Sequence, residues 1–334
     1  GVEVQGRLGT AAIGACDRGF MGFSFVGPAG AAVTAGRLLD LDAEQMRNCL
    51  GVALPFGGGS LRGDGYMSHV HEAGIPAHTG VWAALLASRG FTASPDYLDG
   101  RFSWGEQFVG TSARPYNPDV ITAGFGGPLF FETSDVAVKQ YGTSGVTHQA
   151  IEGMIRLMVA NGLGSDDIDR VTLLVPPFAV RIAAFPNPVG GEQAKFSLEQ
   201  AIAGILVGGV PELPYVHAFT DEATRDPCYI EARQRVRVEI DESRPNIRGF
   251  DEQTVTLHLT DGRTLSTVVD RLDVGGRANN PLTTDQRVAM FRRTTASAGD
   301  ARTDRIIELI MDFEHHTVAE LAASLIAASL IGAH

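Results

Sequence analysis

The run Asp169-Arg-Val-Thr-Leu-Leu-Val-Pro176 places Val171, Leu173 and Val175 at every second position, the period of a half-buried strand. Three runs of the same kind follow: Val236-Arg-Val-Glu-Ile240, Thr254-Val-Thr-Leu-His-Leu259 and Thr264-Leu-Ser-Thr-Val-Val269. The last two are joined through Asp261-Gly262, a hairpin signal. Upstream, Asp135-Val-Ala-Val-Lys-Gln-Tyr141 also alternates like a strand. Helical patterns from about Thr147 to Asn161 and from Phe196 to Val207 lie between these runs, so residues 133–280 read as an α+β unit.

Outside that unit the period is helical on both sides. Gly1 to Ala12 reads as a helix in progress. Pro28 to Leu39 is one helix, Ala43 to Leu54 the next with Asp42 as N-cap, and Gly74 to Ser88 a third, ended by Arg89-Gly90. Pro95, after Ser94, occupies a first helical turn. Small residues at helical spacing let these helices approach closely. Beyond Pro281, helices return at Thr284–Arg293, Arg302–Phe313 and Val318–Ile331. The expected fold is therefore mainly α with an inserted α+β domain. A helical domain of residues 1–132 and 281–334 is interrupted by an α+β domain of residues 133–280.

The chain of 334 residues has a net charge of −12, which excludes nucleic acid as a partner because phosphate binding needs a basic face. An anionic ligand would have to be held by a local cluster of positive groups. Cys16, Cys49 and Cys228 are far apart and form no CxxC pair, as expected of a reducing compartment. No signal peptide is seen, and the apolar run from Val318 contains Glu320, so a cytoplasmic protein with no membrane span is expected. Gly1 opens in mid-helix without a cap, and further N-terminal sequence is expected.

Several segments match one family in order. Gly1-Val-Glu-Val-Gln-Gly-Arg-Leu8, Gly19-Phe-Met-Gly-Phe-Ser-Phe-Val-Gly-Pro-Ala-Gly-Ala-Ala32 and Glu72-Ala-Gly-Ile-Pro-Ala-His-Thr-Gly80 are three of them. Val138-Lys-Gln-Tyr141 followed by Thr147-His148, Lys195-Phe-Ser197 and Gly276-Arg-Ala-Asn-Asn-Pro-Leu-Thr283 are three more. In this order they resemble the MmgE/PrpD family, which contains 2-methylcitrate dehydratase and cis-aconitate decarboxylase. The resemblance implies chemistry without metal or other cofactor on a small di- or tricarboxylate: dehydration, decarboxylation or epimerisation. Such reactions build charge beside a carboxylate, so they need an acid–base pair and cationic partners. It also implies a homodimer formed through the helical domain.

The same resemblance shows a rewritten site. Met21 stands where the family has the His of a Gly-Phe-His turn. His69 stands in the place of a Lys, Glu72 in that of a His, and Lys139 keeps the second Lys. Ser144 and Gln200 replace a His and a Tyr of the decarboxylase branch. These changes keep open an alternative in which the chain binds a carboxylate without turning it over.

Read for their own chemistry, Lys139 and Lys195 are the only lysines in the chain. An ammonium is a compact charge with a shiftable pKa, suited to acid–base work, and Lys139 and His69 are the expected catalytic pair. Lys195 reads as structural, at the head of its helix. Thr143, Ser144 and Thr147 precede a helix start, where hydroxyls and free N–H groups suit a carboxylate, and His148 follows them. Ser144, Thr143, His148, Gln200 and Met21 are the expected substrate contacts. His69-Val-His71-Glu72 has the alternate spacing of a metal pair in a strand, but no partner cluster stands out elsewhere, and no metal is expected. Gly57-Gly-Gly-Ser60 and Gly63-Asp-Gly65 read as a loop, with Asp64 and Tyr66 at a pocket mouth.

Overall fold

The computed structural model describes residues 1–134, 137–213, 215–247, 252–277 and 279–329. Its N-terminal layer is built on α1 (Val2–Ala11), α2 (Gly22–Leu38), α3 (Ala43–Ala53) and α4 (Ser68–Ala87). Asp42 caps α3 as expected: its side chain takes the Gln45 N–H while Gln45 answers to the Asp42 N–H.

α2 and α4 are the most extensively packed helix pair, and both start about six residues earlier than the sequence suggests. Pro28 and Pro76, read as residues near helix starts, lie inside helices. A proline inside a helix strips the carbonyl four residues back of its donor. Here those carbonyls belong to Ser24 and Glu72, and both are satisfied from elsewhere. Gly58 N–H approaches Ser24 O at 3.4 Å, and Ser24 Oγ donates to Glu72 O at 2.9 Å. Ser24, itself buried, thus ties the two proline helices together. Contact is close enough that a Cβ on Gly80 would lie 2.6 Å from Pro28 O and 2.5 Å from Ala32 N.

Two further expectations are corrected. The segment at Pro95 is a turn followed by bends, not a helix, because its carbonyls serve distant groups: Tyr97 O accepts from Trp104 N, and Leu98 O from Tyr116 Oη. The run 135–141 forms no strand where it is described; Asp135 and Val136 lie outside the described residues. Val138 N–H goes to Gly276 O at 3.0 Å, and Gln140 O accepts from Tyr215 N at 3.1 Å. Its bonds are thus split between two irregular segments, and only Tyr141 makes an isolated bridge, to Tyr215.

The sheet has four strands, β1 (Ile168–Val175), β2 (Val236–Ile240), β3 (Gln253–Leu259) and β4 (Thr264–Val269), in the order β2-β1-β3-β4. β1 and β2 are parallel; β1–β3 and β3–β4 are antiparallel. Val171 faces Leu257 and Leu173 faces Val255, all four buried against α5 (His148–Asn161) and α6 (Leu198–Gly208). The opposite face is polar, with Thr172 bonded to His258 at 3.0 Å and Thr256 to Ser266 at 3.0 Å. One covered face and one solvated face explain the clean alternation that made these strands legible.

Three helices close the chain: α7 (Thr284–Thr294), α8 (Asp300–Met311) and α9 (Val318–Ser329), whose expected last residues, Leu330 and Ile331, lie outside the described residues. Arg293 ties α7 to Glu212 at 3.5 Å. Among the described residues no helix is long and apolar enough to cross a membrane. The molecule is mainly helical with a small mixed sheet.

Candidate functional site

Two loops meet where the N-terminal helices face the sheet layer. Phe178, Ile182 and Phe196 form a small apolar cluster with Leu61, Val146 and Phe185, joining the loop before α4 to the segments around α5 and α6. Beside it the first turn of α4 brings His69 edge-on to Phe196 at 5.5 Å and to Phe23 at 5.4 Å. Helical geometry corrects the strand reading of His69-Val-His71. Two residues apart on a helix, the imidazoles project about 200° apart, and His71 is exposed.

On the helix side stand Asp64, His69 and Glu72. Asp64 Oδ1 and His69 Nδ1 are 3.1 Å apart, with the side chains 7% and 28% exposed. They are in contact without hydrogen-bond alignment, and neither atom finds another partner. Glu72 accepts the Ser60 N–H through Oε1 at 3.2 Å, while Oε2 is buried and unpaired against Gly63. Burial, then the charge of Glu72, pushes the Asp64 pKa up to about 7, against the pull of Lys139. Burial also lowers the His69 pKa, helped by Lys139 and Lys195 and opposed by Glu72 and Glu192. A carboxyl that holds its proton toward neutrality beside a neutral imidazole is an arrangement suited to acid–base exchange.

The sheet side supplies the cations. Lys139 is exposed along its chain, but its ammonium donates to Thr143 O at 3.1 Å. Crowding by protein atoms, then the Arg277 guanidinium, lowers its pKa, while Asp64 opposes. The buried His148 ring reaches the same Thr143 carbonyl through Nε2 at 3.4 Å. Burial, then Lys139, depresses the His148 pKa to about 3, so the ring is neutral and donates from Nε2. Arg277 Nη2 lies 3.8 Å from where a Cβ on Gly145 would stand, next to Ser144. Gly276, with φ +82°, permits this: any Cβ there would strike Val138 O. That contact fixes Lys139 and Arg277 in one neighbourhood.

The expected residues are thus brought together unevenly. Lys139, His69, Ser144, Thr143 and His148 converge, with Ser144 N–H and Thr143 Oγ1 both bonded to Lys195 O. Met21, buried at the head of α2, lies against Gly59 of the loop. Gln200 is placed elsewhere, fully buried with its amide bonded to Ala218 O and Arg233. Lys195 pairs with Glu192 at 2.7 Å. Asp64, placed only at a pocket mouth by the sequence, is a central member, and Arg277 was missed. A groove of about 450 Å³ between α1, α2 and α4, lined by Val2, Phe23, Leu38, Pro76 and Val81 among others, carries no titratable side chain.

Comparison with known proteins agrees with the order of motifs. The MmgE/PrpD N-terminal domain matches residues 1–116 and the MmgE/PrpD C-terminal domain residues 141–314. The chain is 27% identical over 332 residues to the cis-aconitate decarboxylase of Homo sapiens, covering 94% of this chain and 64% of that protein. It is 23% identical over 336 residues to that of Aspergillus terreus, covering 95% of this chain and 67% of the relative. The chain therefore spans about two thirds of the length of these curated relatives. With both domains matched along the chain, this protein belongs to the MmgE/PrpD family.

Proposed function

We propose that this protein is an acid–base lyase, a decarboxylase or dehydratase, that acts on a small carboxylate with side chains rather than a metal. The observation that carries the reading is the Asp64–His69 contact of 3.1 Å within the field of Lys139. Its relatives named cis-aconitate decarboxylase support the lyase class.

Lys139 and Arg277 neutralise the substrate carboxylate, and Ser144 donates a hydrogen bond to it. Charge that develops beside that carboxylate in the transition state is stabilised by the same two cations. In a dehydration His69, neutral because burial lowers its pKa, removes the proton from the carbon beside the carboxylate. Asp64, poised to hold a proton, gives it to the departing hydroxide, or, after CO2 has left in a decarboxylation, to the carbon that kept the electron pair. Thr143 and His148 position the ammonium through the shared Thr143 carbonyl.

A second reading, binding without turnover, is favoured by Met21, a side chain that neither titrates nor donates, at the head of α2. In either reading the protein works as a homodimer through its helical layer, where Leu38, Val81 and Trp82 are exposed.

The test is a turnover screen by NMR with cis-aconitate, 2-methylcitrate, citrate and smaller carboxylates. Turnover that falls roughly 10²–10⁴-fold in Lys139→Ala is expected. Full activity in that variant would remove the assignment, and binding without turnover would select the silent reading.

A further inference from the structure

The two walls of the site carry opposite charge, and that polarity constrains the ligand. On the sheet side stand the Lys139 ammonium and the Arg277 guanidinium, flanking Ser144. On the helix side stand the carboxyls of Asp64 and Glu72 with His69 between them. The nearby Lys195 does not offset this negative wall, because it is paired with Glu192 at 2.7 Å and the two act on His69 in opposite senses.

The helix-side wall is also short of donors. Asp64 Oδ1, Glu72 Oε2 and His69 Nδ1 are all buried without an aligned hydrogen-bond partner. Asp64 as a residue is more than nine-tenths buried. Two of these three atoms are carboxylate oxygens, which accept hydrogen bonds and attract positive charge. A ligand group that donates, or carries positive charge, relieves this wall. A second carboxylate adds another acceptor and a negative charge beside two carboxyls that already lack donors, and an interface that places like groups together rejects its ligand.

From this we propose that the site selects a small monocarboxylate bearing a hydrogen-bond donor, a hydroxyl or an ammonium, at the end opposite its carboxylate, and turns away a second carboxylate. The carboxylate sits against Lys139, Arg277 and Ser144, and the donor end faces the Asp64–His69–Glu72 wall. The proposal rests on the reading of this cluster as a carboxylate site, and it narrows the polycarboxylate expectation drawn from sequence. Glu72 becomes the residue that sets selectivity, and it does so without taking part in proton transfer.

The experiment is a binding titration of the full chain by NMR with three probes of similar length: glutarate, γ-hydroxybutyrate and γ-aminobutyrate. It is run about one pH unit above the Asp64 value of about 7, where that carboxyl is charged. The hydroxyl or amino probe should saturate at a concentration roughly tenfold or more below that needed for glutarate. In Glu72→Gln, which keeps an oxygen for the Ser60 N–H, the gap should shrink or reverse through gained glutarate affinity. If that variant does not fold, Asp64→Asn serves the same purpose. Glutarate binding more tightly than both donor probes in the parent protein overturns the proposal, and so does saturation by none of the three. Selective binding of the donor probes without turnover of any carboxylate leaves this selectivity standing and removes the catalytic reading. Turnover of a polycarboxylate together with tight glutarate binding does the reverse.

Discussion

The helical layer and the sheet layer hold the two walls of the site by different means. In the sheet layer large aliphatic side chains, Leu173, Val255, Leu257, Ile151 and Met154 among them, are fully buried in one continuous core. In the helical layer the α2–α4 seam is lined by Ala32, Ala83, Ala84 and Gly80, and little side-chain volume lies between the backbones. The first arrangement is stabilised by apolar area removed from water. The second depends on close approach and on the two proline-orphaned carbonyls being satisfied from outside their own helices. One wall should therefore fail through loss of volume and the other through gain of volume.

Leu173→Ala is the sharpest test on the sheet side. Leu173 is fully buried and pairs across the sheet with Val255, so truncation should cost about 2–5 kcal/mol in chemical denaturation. A loss below about 1 kcal/mol would mean that this core is not close-packed. Gly80→Ala asks the opposite of the helical layer. One added methyl meets the backbone of Pro28 and Ala32, so α2 and α4 must part, at about 1–3 kcal/mol. An unchanged or raised melting temperature would show that the seam has room to spare and would break the contrast.

The same contrast decides what the sequence could say. Strands Val236–Ile240 and Thr264–Val269 stand where their alternation places them, because one face of the sheet is buried and the other solvated. The starts of α2 and α4 were missed because a proline reads locally as a helix beginning. What lets Pro28 and Pro76 sit inside helices comes from Gly58 and Ser24, each tens of residues away from the carbonyl it serves. At the site, Lys139, His69 and Ser144 were legible through the family motifs. Arg277 was not, although it stands inside one of the quoted motifs. Its relevance arises only when Gly276 meets Val138 and draws two distant segments together. Asp64 lacked a local signal as well: a carboxyl in a glycine-rich loop looks solvated until Phe185, Glu72 and His69 close around it.

Ser24→Ala tests that long-range compensation directly. It removes the donor to Glu72 O and leaves a carbonyl without its partner beside Pro76, at about 1 kcal/mol or slightly more. The site is affected too, since α4 carries His69 and Glu72. A variant that melts like the parent would mean that Pro76 is tolerated for some other reason.

The smallest net effect is expected from pH, because the two walls pull in opposite directions. Asp64 titrates near its ordinary 3.8 when unfolded and at about 7 when folded. Between those values the native state holds the extra proton, so this group makes stability fall as pH rises. His148 is ordinarily near 6.5 and is depressed to about 3 in the folded protein. Between those values the unfolded state holds the extra proton, so this group makes stability rise with pH. Over the shared interval the two slopes offset each other. Removing one should expose the other: relative to the parent, Asp64→Asn should gain stability as pH rises through that interval, and His148→Asn should lose it. Denaturation midpoints measured at several pH values for the three proteins check this. Parallel profiles would show that Asp64 and His148 are not buried as the geometry implies, and the selectivity assigned to Glu72 would lose its basis, because that selectivity needs a buried helix-side wall that is short of donors.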